Sequence, residues 1–321
     1  NNGFEDLTIS FSKAWYLLPI NLLKLFSTLA YYSVTVKPDS FVVVQYPLLG
    51  VNPFFKYYIK LLKQKGCRFC CIIHDLDTLR SDYDKRKIEK EIDALAAYDA
   101  VISHNPAMTA WLRANGYRGH IEEIVLFDYL APTVTLKENR SSHGNHEIAF
   151  AGNLARGNFL PKLARADNSF YLNLYGQGFP KSISENNAKI RWYGSFSPEE
   201  IIDEVAGDFG LIWDGDSTEE ITGLMGNYIR YNTPHKTSLY LAAGLPVIIS
   251  GNAAIADFIR SNNIGVCINS LAEISTRALG KDEEEYTKMK QNARQIGEKL
   301  RKGEYLKNAL IKTRNFLEKN K

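Results

Sequence analysis

The sequence has no excess of charge of one sign and few cysteines, so its composition is that of an ordinary globular enzyme. Its 39 Lys and Arg nearly balance 36 Asp and Glu, which excludes a broad nucleic-acid-binding surface. It has only four cysteines in 321 residues, too few for a disulfide framework: Cys67, Cys70, Cys71 and Cys267. Cys67 and Cys70 have the spacing of a metal or redox pair, but no second pair follows. Their apolar surroundings favour buried strand cysteines, and reduced thiols fit the cytoplasm.

The chain also lacks an uninterrupted apolar run of spanning length. Its most apolar region, Ala14 to Val34, is broken by Pro19, Asn21 and Lys24, whereas a spanning helix needs about 20 mostly apolar residues. We interpret this region as a helix packed on a sheet, with shallow contact at the inner face of a membrane as a second expectation. No charged leader with a cleavage site is visible, so we expect no secretory signal.

Short apolar runs alternate with helical patterns along the first half of the chain. Four runs have the composition of buried strands, at 41–47, 67–75, 99–105 and 121–129. Helical patterns separate them, at 54–65, 82–97 and 106–116. Strand, helix and strand in series predict a parallel, doubly wound sheet.

The second half repeats this alternation after a polar segment. Six more strand candidates lie at 147–153, 170–178, 188–194, 209–216, 246–250 and 264–269, and a charged helical stretch at 282–321 ends the chain. We therefore predict an α/β protein of two Rossmann-like domains facing a cleft, residues 1–130 and 148–321, joined by a linker at 131–147. Ligands of such sheets bind at the carboxyl ends of the strands, where the strand order reverses.

The segment Tyr231 to Ser250 is the most informative part of the sequence. A polar loop with Pro234, His235 and Lys236 leads into a short helix, predicted over 238–244, and then into an apolar strand. The free N–H groups and the dipole of such a helix N-terminus suit a phosphate. Lys236, just before the predicted helix, adds a positive charge, so we expect a diphosphate here.

Three further loops follow strands of the second half. Gly152, Asn153 and Arg156 form a strand-to-helix turn that could hold a diphosphate, or an ordinary turn with a solvated arginine. Ser197 and Glu200 have the spacing of a capping box. The run Asp214 to Asp216 could bind sugar hydroxyls or simply make a turn.

Together the motifs AGNLARGNF, YGSFSPEE and PHKTSLYLAAGLPVI, with QYP, IIHDLDTLR and AVISHNPAM, resemble glycosyltransferases of the GT-B fold. The chain is most similar to bacterial β-1,6-galactofuranosyltransferases and to glucosyltransferases that extend O-glycans on serine-rich adhesins. The resemblance implies transfer from a nucleoside-diphosphate sugar, expected to be UDP-linked galactofuranose or glucose, to a glycan acceptor in the synthesis of a bacterial surface polysaccharide or glycoprotein. A nucleotide-sugar 2-epimerase and a non-catalytic nucleotide-sugar-binding subunit stay open.

The resemblance also assigns residues. It places Lys236 and Thr237 at the diphosphate, with His235 as a phosphate contact or a loop histidine. It places Ser195 and Phe196 at the nucleobase. Asn227 and Tyr228, which precede the loop of Lys236, could reach the ribose or the sugar, and Asp214 is the candidate of its run for the sugar hydroxyls. No DxD motif stands out, so we expect neither a metal nor a cofactor. Related enzymes associate, so a homo-oligomer is a further expectation.

Two features depart from the family pattern. Tyr231 and Leu239 occupy the positions where many retaining members carry two glutamates eight residues apart. The usual first strand, loop and helix are not visible before Gly3 and Phe4. We expect that such a gap would leave nucleotide binding intact and impair transfer.

The first half is expected to supply the acceptor contacts and a general base. His74 and Asp75 end a predicted strand and point into the proposed cleft, with Asp77 and Arg80 next in the loop. Either His74 or Asp75 could take a proton from the acceptor, or both could be structural strand-end residues. Asn105 is either a second cleft residue or the N-cap of the following helix.

Overall fold

The computed structural model describes residue 5 and residues 18–47, 52–81, 84–131, 134, 136, 146–156 and 158–320, without the side chains of 18–22, 52–54, 181 and 184. Most of the predicted linker at 131–147 lies outside the described residues. The last two residues of that range, 146 and 147, already belong to a strand.

The first lobe is built on a four-stranded sheet. Its strands, all parallel and in the order β1-β2-β3-β4, are β1 (Phe41–Tyr46), β2 (Arg68–Ile73), β3 (Ala100–Ser103) and β4 (His120–Glu123). The helices are α1 (Leu18–Thr35), α2 (Asn52–Lys63), α3 (Asp77–Arg80), α4 (Lys85–Leu95) and α5 (Pro106–Ala114). The strands are apolar runs because a parallel sheet is covered on both faces.

The second lobe is built on a six-stranded sheet. Its strands are β5 (His146–Ala151), β6 (Phe170–Tyr175), β7 (Ile190–Trp192), β8 (Phe209–Ile212), β9 (Val247–Ser250) and β10 (Gly265–Ile268). They run parallel in the order β7-β6-β5-β8-β9-β10. This is the Rossmann order, and it reverses between β5 and β8. The predicted α/β class with parallel sheets is confirmed.

Helices cover the second sheet. They are α6 (Phe159–Arg165), α7 (Lys181–Glu185), α8 (Ile201–Glu204), α9 (Gly223–Tyr228), α10 (His235–Ala242), α11 (Ala256–Ser261) and α12 (Glu283–Arg301). Helix α10 packs so closely on α12 that a Cβ added at Gly297 would lie 2.0 Å from the carbonyl oxygen of Leu241. Arg301 Nη1 also donates to the carbonyl of Ala242 over 2.5 Å.

The last helix, α13 (Glu304–Lys319), crosses from the second lobe back to the first. Gly303, with φ 74°, separates it from α12 and provides a left-handed turn. Lys312 Nζ lies 3.1 Å from a carboxylate oxygen of Glu122 on β4. The rings of Phe316 and His120 stack with centroids 3.6 Å apart. The charged helical tail is confirmed, and it packs against the first sheet although sequence reasoning grouped it with residues 148–321.

Several predictions about the cores are confirmed. Leu25 and Leu29 of α1 are buried in the first-lobe core, as expected for a helix packed on the sheet. None of the helices that the structure describes is both long enough and apolar enough to cross a membrane. All four cysteines are free and buried: Cys67, Cys70, Cys71 and Cys267.

The strand predicted at 121–129 is wrong beyond its first residues. Pairing in β4 ends at Glu123, and Val125 has φ 67°. Its N–H still donates to the carbonyl of His104 over 2.8 Å, but the left-handed conformation turns the chain out of the sheet. The apolar residues that follow, among them the buried Phe127, therefore line the junction between the lobes instead of extending the strand.

Candidate functional site

The site lies where the strand order of the second sheet reverses. Gly152 directly follows β5, and Asp214 comes two residues after the end of β8. Lys236 reaches the same point: its Nζ lies 3.9 Å from Asp214 Oδ1 and 4.2 Å from the ring centroid of Phe150, which is on β5. Three of the predicted donor residues are thus brought together at the carboxyl edge of the sheet.

Lys236 is the second residue of helix α10, which corrects the prediction that it precedes the helix. The helix begins at His235 because Pro234 in the N-cap position adopts φ −63° and ψ 132°, outside the helical region. The first N–H groups of a helix have no partner within it. Here the N–H of Thr237 is bonded to the carbonyl of Pro234 over 2.9 Å, which leaves those of His235 and Lys236 at the N-terminus. A charged side chain and these backbone donors share one helix turn.

The environment of Lys236 favours an anionic ligand. Burial lowers the pKa of Lys236, the nearby Asp214 raises it, and Arg156 lowers it further. The Lys236 side chain is 22% exposed, so a ligand can still reach it. An anion beside the ammonium would offset its desolvation and its repulsion by Arg156.

Gly152 leaves room for Lys236. Its φ of 137° lies in the region that favours glycine, and a Cβ there would lie 3.1 Å from Lys236 Cε. In the following turn, Asn153 Oδ1 accepts the N–H of Ala155 over 3.0 Å, and Arg156 is exposed. The predicted strand-to-helix turn is therefore present, with its arginine near Lys236.

Two hydroxyl groups are buried in the first turn of α10. Thr237 Oγ1 and Ser238 Oγ have no hydrogen-bond partner among the described residues, and the two residues are 0% and 1% exposed. Buried hydroxyls of this kind are costly unless they find a partner. Thr237 as a donor contact stays a prediction.

Ser195 and Phe196 follow β7, two strands away from β5. Because neighbouring strands lie about 4.8 Å apart, β7 itself is roughly 10 Å from β5 across the sheet. The predicted capping box is confirmed beside them: Ser197 N–H donates to Glu200 over 3.0 Å, and Glu200 N–H donates to Ser197 Oγ over 3.3 Å. Tyr193 stacks on the buried Tyr175, with centroids 5.0 Å apart.

The two aspartates of the Asp214–Asp216 run differ in role. Asp214 faces Lys236, whereas Asp216 links two loops by accepting the backbone N–H of Asn158, at the start of α6, over 3.0 Å. In the described part of the chain, no group of three or more His, Cys, Asp or Glu side chains is placed to hold a metal ion.

The first lobe brings His74 and Asp75 to the same junction. Asp75 Oδ2 accepts Arg80 Nη1 over 2.7 Å, and its Oδ1 accepts the hydroxyl of Tyr228 over 3.0 Å. The Tyr228 hydroxyl also accepts the N–H of Leu76 over 3.4 Å. Tyr228, predicted as a donor contact, thus ties the lobes together, while Asn227 is exposed on α9.

A stack of three rings crosses from one lobe to the other. Phe127 lies between His74, with centroids 5.5 Å apart, and His235, with centroids 4.6 Å apart. Burial lowers the pKa of His74, His235 lowers it further, and Asp75 opposes the shift. The imidazole of His74 is therefore neutral at pH 7, and its Nε2 has no hydrogen-bond partner within the described ranges.

Sequence reasoning missed His104 and Thr233. His104 Nδ1 accepts the N–H of Thr233 over 3.0 Å, and its Nε2 donates to the carbonyl of Ile73 over 3.0 Å. Burial lowers the pKa of His104 to about 3. The sequence did contain a signal for His104. It comes directly after β3, just as His74 comes directly after β2, and the pairing of the two strands sets these histidines side by side.

Two family models match the chain over both lobes. "Glucosyltransferase 3-like, C-terminal domain" matches residues 148–313, and "Glucosyltransferase 3-like, N-terminal domain" matches residues 3–125. The β-1,6-galactofuranosyltransferase WbbI of Escherichia coli (strain K12) is 35% identical over 266 residues, 81% of this chain and 75% of that protein. Glucosyltransferase 3 of Streptococcus gordonii is 27% identical over 271 residues, 84% of this chain and 78% of that protein.

Solved structures share the fold at low sequence identity. Sucrose-phosphate synthase from Thermosynechococcus elongatus has a TM-score of 0.59 and 15% identity, covering 96% of this chain and 81% of that one. The Anabaena protein HepE, in complex with UDP, has a TM-score of 0.61 and 11% identity, covering 96% and 85%. Because the family models match both lobes and the relatives agree with them, the chain belongs to the glucosyltransferase 3-like family of glycosyltransferases.

Proposed function

We propose that the chain transfers glucose or galactofuranose from a UDP-linked donor to a hydroxyl group of a glycan acceptor. The family membership supports glycosyl transfer, and the names of the E. coli and streptococcal relatives support these two sugars. A bacterial surface glycan or glycoprotein is the proposed acceptor. The relatives do not favour a 2-epimerase or a non-catalytic subunit.

The observation that carries the proposal is the position of Lys236. It joins an ammonium group, the N-terminus of α10 and the reversal point of a Rossmann sheet within one turn of helix. The ammonium group and the helix N-terminus each favour an anion, and the reversal point is where Rossmann sheets bind nucleotides, so together they support a nucleoside diphosphate. Ser195 and Phe196, farther along the same edge, are proposed to contact the uracil.

The proposed chemistry needs no metal ion and no cofactor. The acceptor oxygen attacks the anomeric carbon, the bond from that carbon to the β-phosphate oxygen breaks, and UDP leaves with the bonding electrons. Lys236 and Arg156 stabilise the charge that develops on the diphosphate. Asp214, whose Oδ1 lies 3.9 Å from Lys236 Nζ, is proposed to hold the lysine and to accept hydrogen bonds from the sugar hydroxyls.

His74 is the proposed general base. Both carboxylate oxygens of Asp75 already accept hydrogen bonds, from Tyr228 and from Arg80, so that side chain is committed to structural contacts. His74 is neutral and is the first-lobe end of the ring stack that reaches His235 of α10. It takes the proton of the acceptor hydroxyl as the new glycosidic bond forms.

A thermal-shift series tests the diphosphate site. UDP at about 100 times its dissociation constant should stabilise the parent by roughly 2.7 kcal/mol. Lys236→Ala removes a charged hydrogen-bond donor worth about 1.5–3 kcal/mol, so UDP should bind roughly tenfold to a hundredfold more weakly. Lys288→Ala, which removes the same charge from an exposed position on α12, should respond like the parent.

Two outcomes would contradict the proposal. One is an equal UDP response in the parent and in Lys236→Ala. The other is a change in the donor sugar without any acceptor, which would indicate an epimerase. Transfer of labelled sugar to a glycan in the presence of a metal chelator is the expected result.

The base assignment has its own test. His74→Gln should lower kcat/KM roughly a hundredfold or more while the UDP response stays intact. Because the base acts when neutral and its pKa is lowered, kcat/KM of the parent should fall with pH only below about 6.5. His74→Gln should lack that acid limb. His120→Gln, at the opposite end of the first sheet, is the matched control, and an unchanged pH profile in His74→Gln would exclude His74 as the base.

A further inference from the structure

The first lobe holds the loop that leads into α10. We define the interlobe loop as residues 229–234, between α9 and α10. At its centre, Thr233 is 1% exposed, and both its backbone and its side chain are bonded to the first lobe. Its N–H donates to His104 Nδ1, and its hydroxyl donates to the carbonyl of Val125 over 3.0 Å.

Asn105 adds two bonds to the same loop. Its Nδ2 donates to the carbonyl of Tyr231 over 3.0 Å and to Thr233 Oγ1 over 3.2 Å. Its Oδ1 accepts the N–H of Met108 over 3.1 Å and caps α5, as one of the two sequence hypotheses expected. The amide oxygen of Asn105 thus caps a helix of the first lobe, while its amide nitrogen holds the loop of the second.

The loop is short, so its position fixes the start of the helix. Thr233 is followed by Pro234 in the N-cap position and then by His235, whose ring stacks on Phe127 of the junction. Only two residues separate Thr233 from Lys236. A shift of the loop by 1 Å would therefore move the ammonium group and the free N–H groups of the first turn by a similar distance.

We propose that His104 and Asn105 are positioning residues of the donor site, which hold α10 in register so that Lys236 meets the diphosphate. This inference rests on the proposed function. Neither side chain touches the donor. Both act from the first lobe through the backbone of the interlobe loop, so the donor site is complete only when the lobes are together.

Asn105→Asp separates the two roles of Asn105. Aspartate is an equally good N-cap, so α5 keeps its bond from Met108. The two donated bonds are lost, and a carboxylate oxygen then faces the carbonyl of Tyr231. We expect the KM for the donor and the Kd for UDP to rise roughly tenfold to a hundredfold, as a 1 Å displacement would cause, with the KM for the acceptor unchanged.

His104 provides an independent pair of variants. In His104→Gln the amide can accept from Thr233 and donate to Ile73, so donor KM should stay near that of the parent. In His104→Leu both bonds are lost, and donor KM should rise as in Asn105→Asp. Should His104→Leu fail to fold, the capped Asn105→Asp variant still decides the question.

The outcomes distinguish this inference from the proposed function. An equal UDP response in the parent and in Lys236→Ala would overturn the proposed function itself. A parent that responds to UDP, a Lys236→Ala that responds less, and an Asn105→Asp with the donor KM and UDP affinity of the parent would overturn only the positioning role. A lower melting temperature in Asn105→Asp with unchanged donor KM would also overturn it.

Discussion

At the scale of single residues, the junction combines neutral histidines with charged groups near the proposed diphosphate. Burial lowers the pKa of both His74 and His104, so their rings contribute packing and hydrogen bonds without charge. Lys236 and Arg156 keep the positive charge for the second lobe. This division suits a site that binds an anion on one side and a sugar hydroxyl on the other.

The depressed pKa of His104 makes stability depend on pH. Its pKa is about 3 in the folded chain and 6.5 as the ordinary value, so below pH 6.5 the unfolded chain binds the extra proton and stability falls. Between pH 7 and pH 5 the loss from this group should be about 2 kcal/mol. Urea denaturation at both pH values measures it, with His104→Gln as the control because glutamine does not titrate. Equal losses in the two proteins would contradict the assignment.

At the scale of elements, the sequence predicted most strands because parallel strands covered on both faces are apolar runs between turn residues. All six strand candidates of the second half correspond to observed strands. The strand predicted at 121–129 failed because apolar residues also line the junction between the lobes. Composition alone does not distinguish a core strand from an apolar connection.

The start of α10 was misplaced for a related reason. Helix patterns are recognised from apolar periodicity, and His235 and Lys236 are polar residues after a proline. In the structure the helix starts directly after Pro234, and the ring of His235 also stacks on Phe127 of the junction between the lobes. Local sequence does not carry that information.

The site was predicted where its residues directly follow strands. Gly152 and Asp214 were found in this way and Lys236 from the polar loop before a predicted helix, and the structure brings the three together. Thr233 could not be found, because its N–H bond to His104 is a backbone contact between lobes and any residue type except proline can make it. Tyr228 was recognised as important, but its hydroxyl bonds to Asp75. Its role as a donor contact stays a prediction.

At the scale of the whole molecule, the described residues join the lobes in several ways. Among them are the chain segment after β4, the hydrogen bonds around Thr233 and Tyr228, the stacked rings of the junction, and the crossing of α13 onto the first sheet. The donor site therefore depends on the arrangement of both lobes, although Lys236 belongs to one. Self-association, contact with a membrane surface and a cytoplasmic location stay predictions from the sequence.

The central claim concerns one contact, and the structure of the complex with UDP tests it most directly. We predict that a β-phosphate oxygen lies roughly 2.7–3.2 Å from Lys236 Nζ at the N-terminus of α10, between the ends of β5 and β8, with the uracil near Ser195 and Phe196. A diphosphate bound elsewhere, with Lys236 still paired to Asp214 alone, would contradict the account.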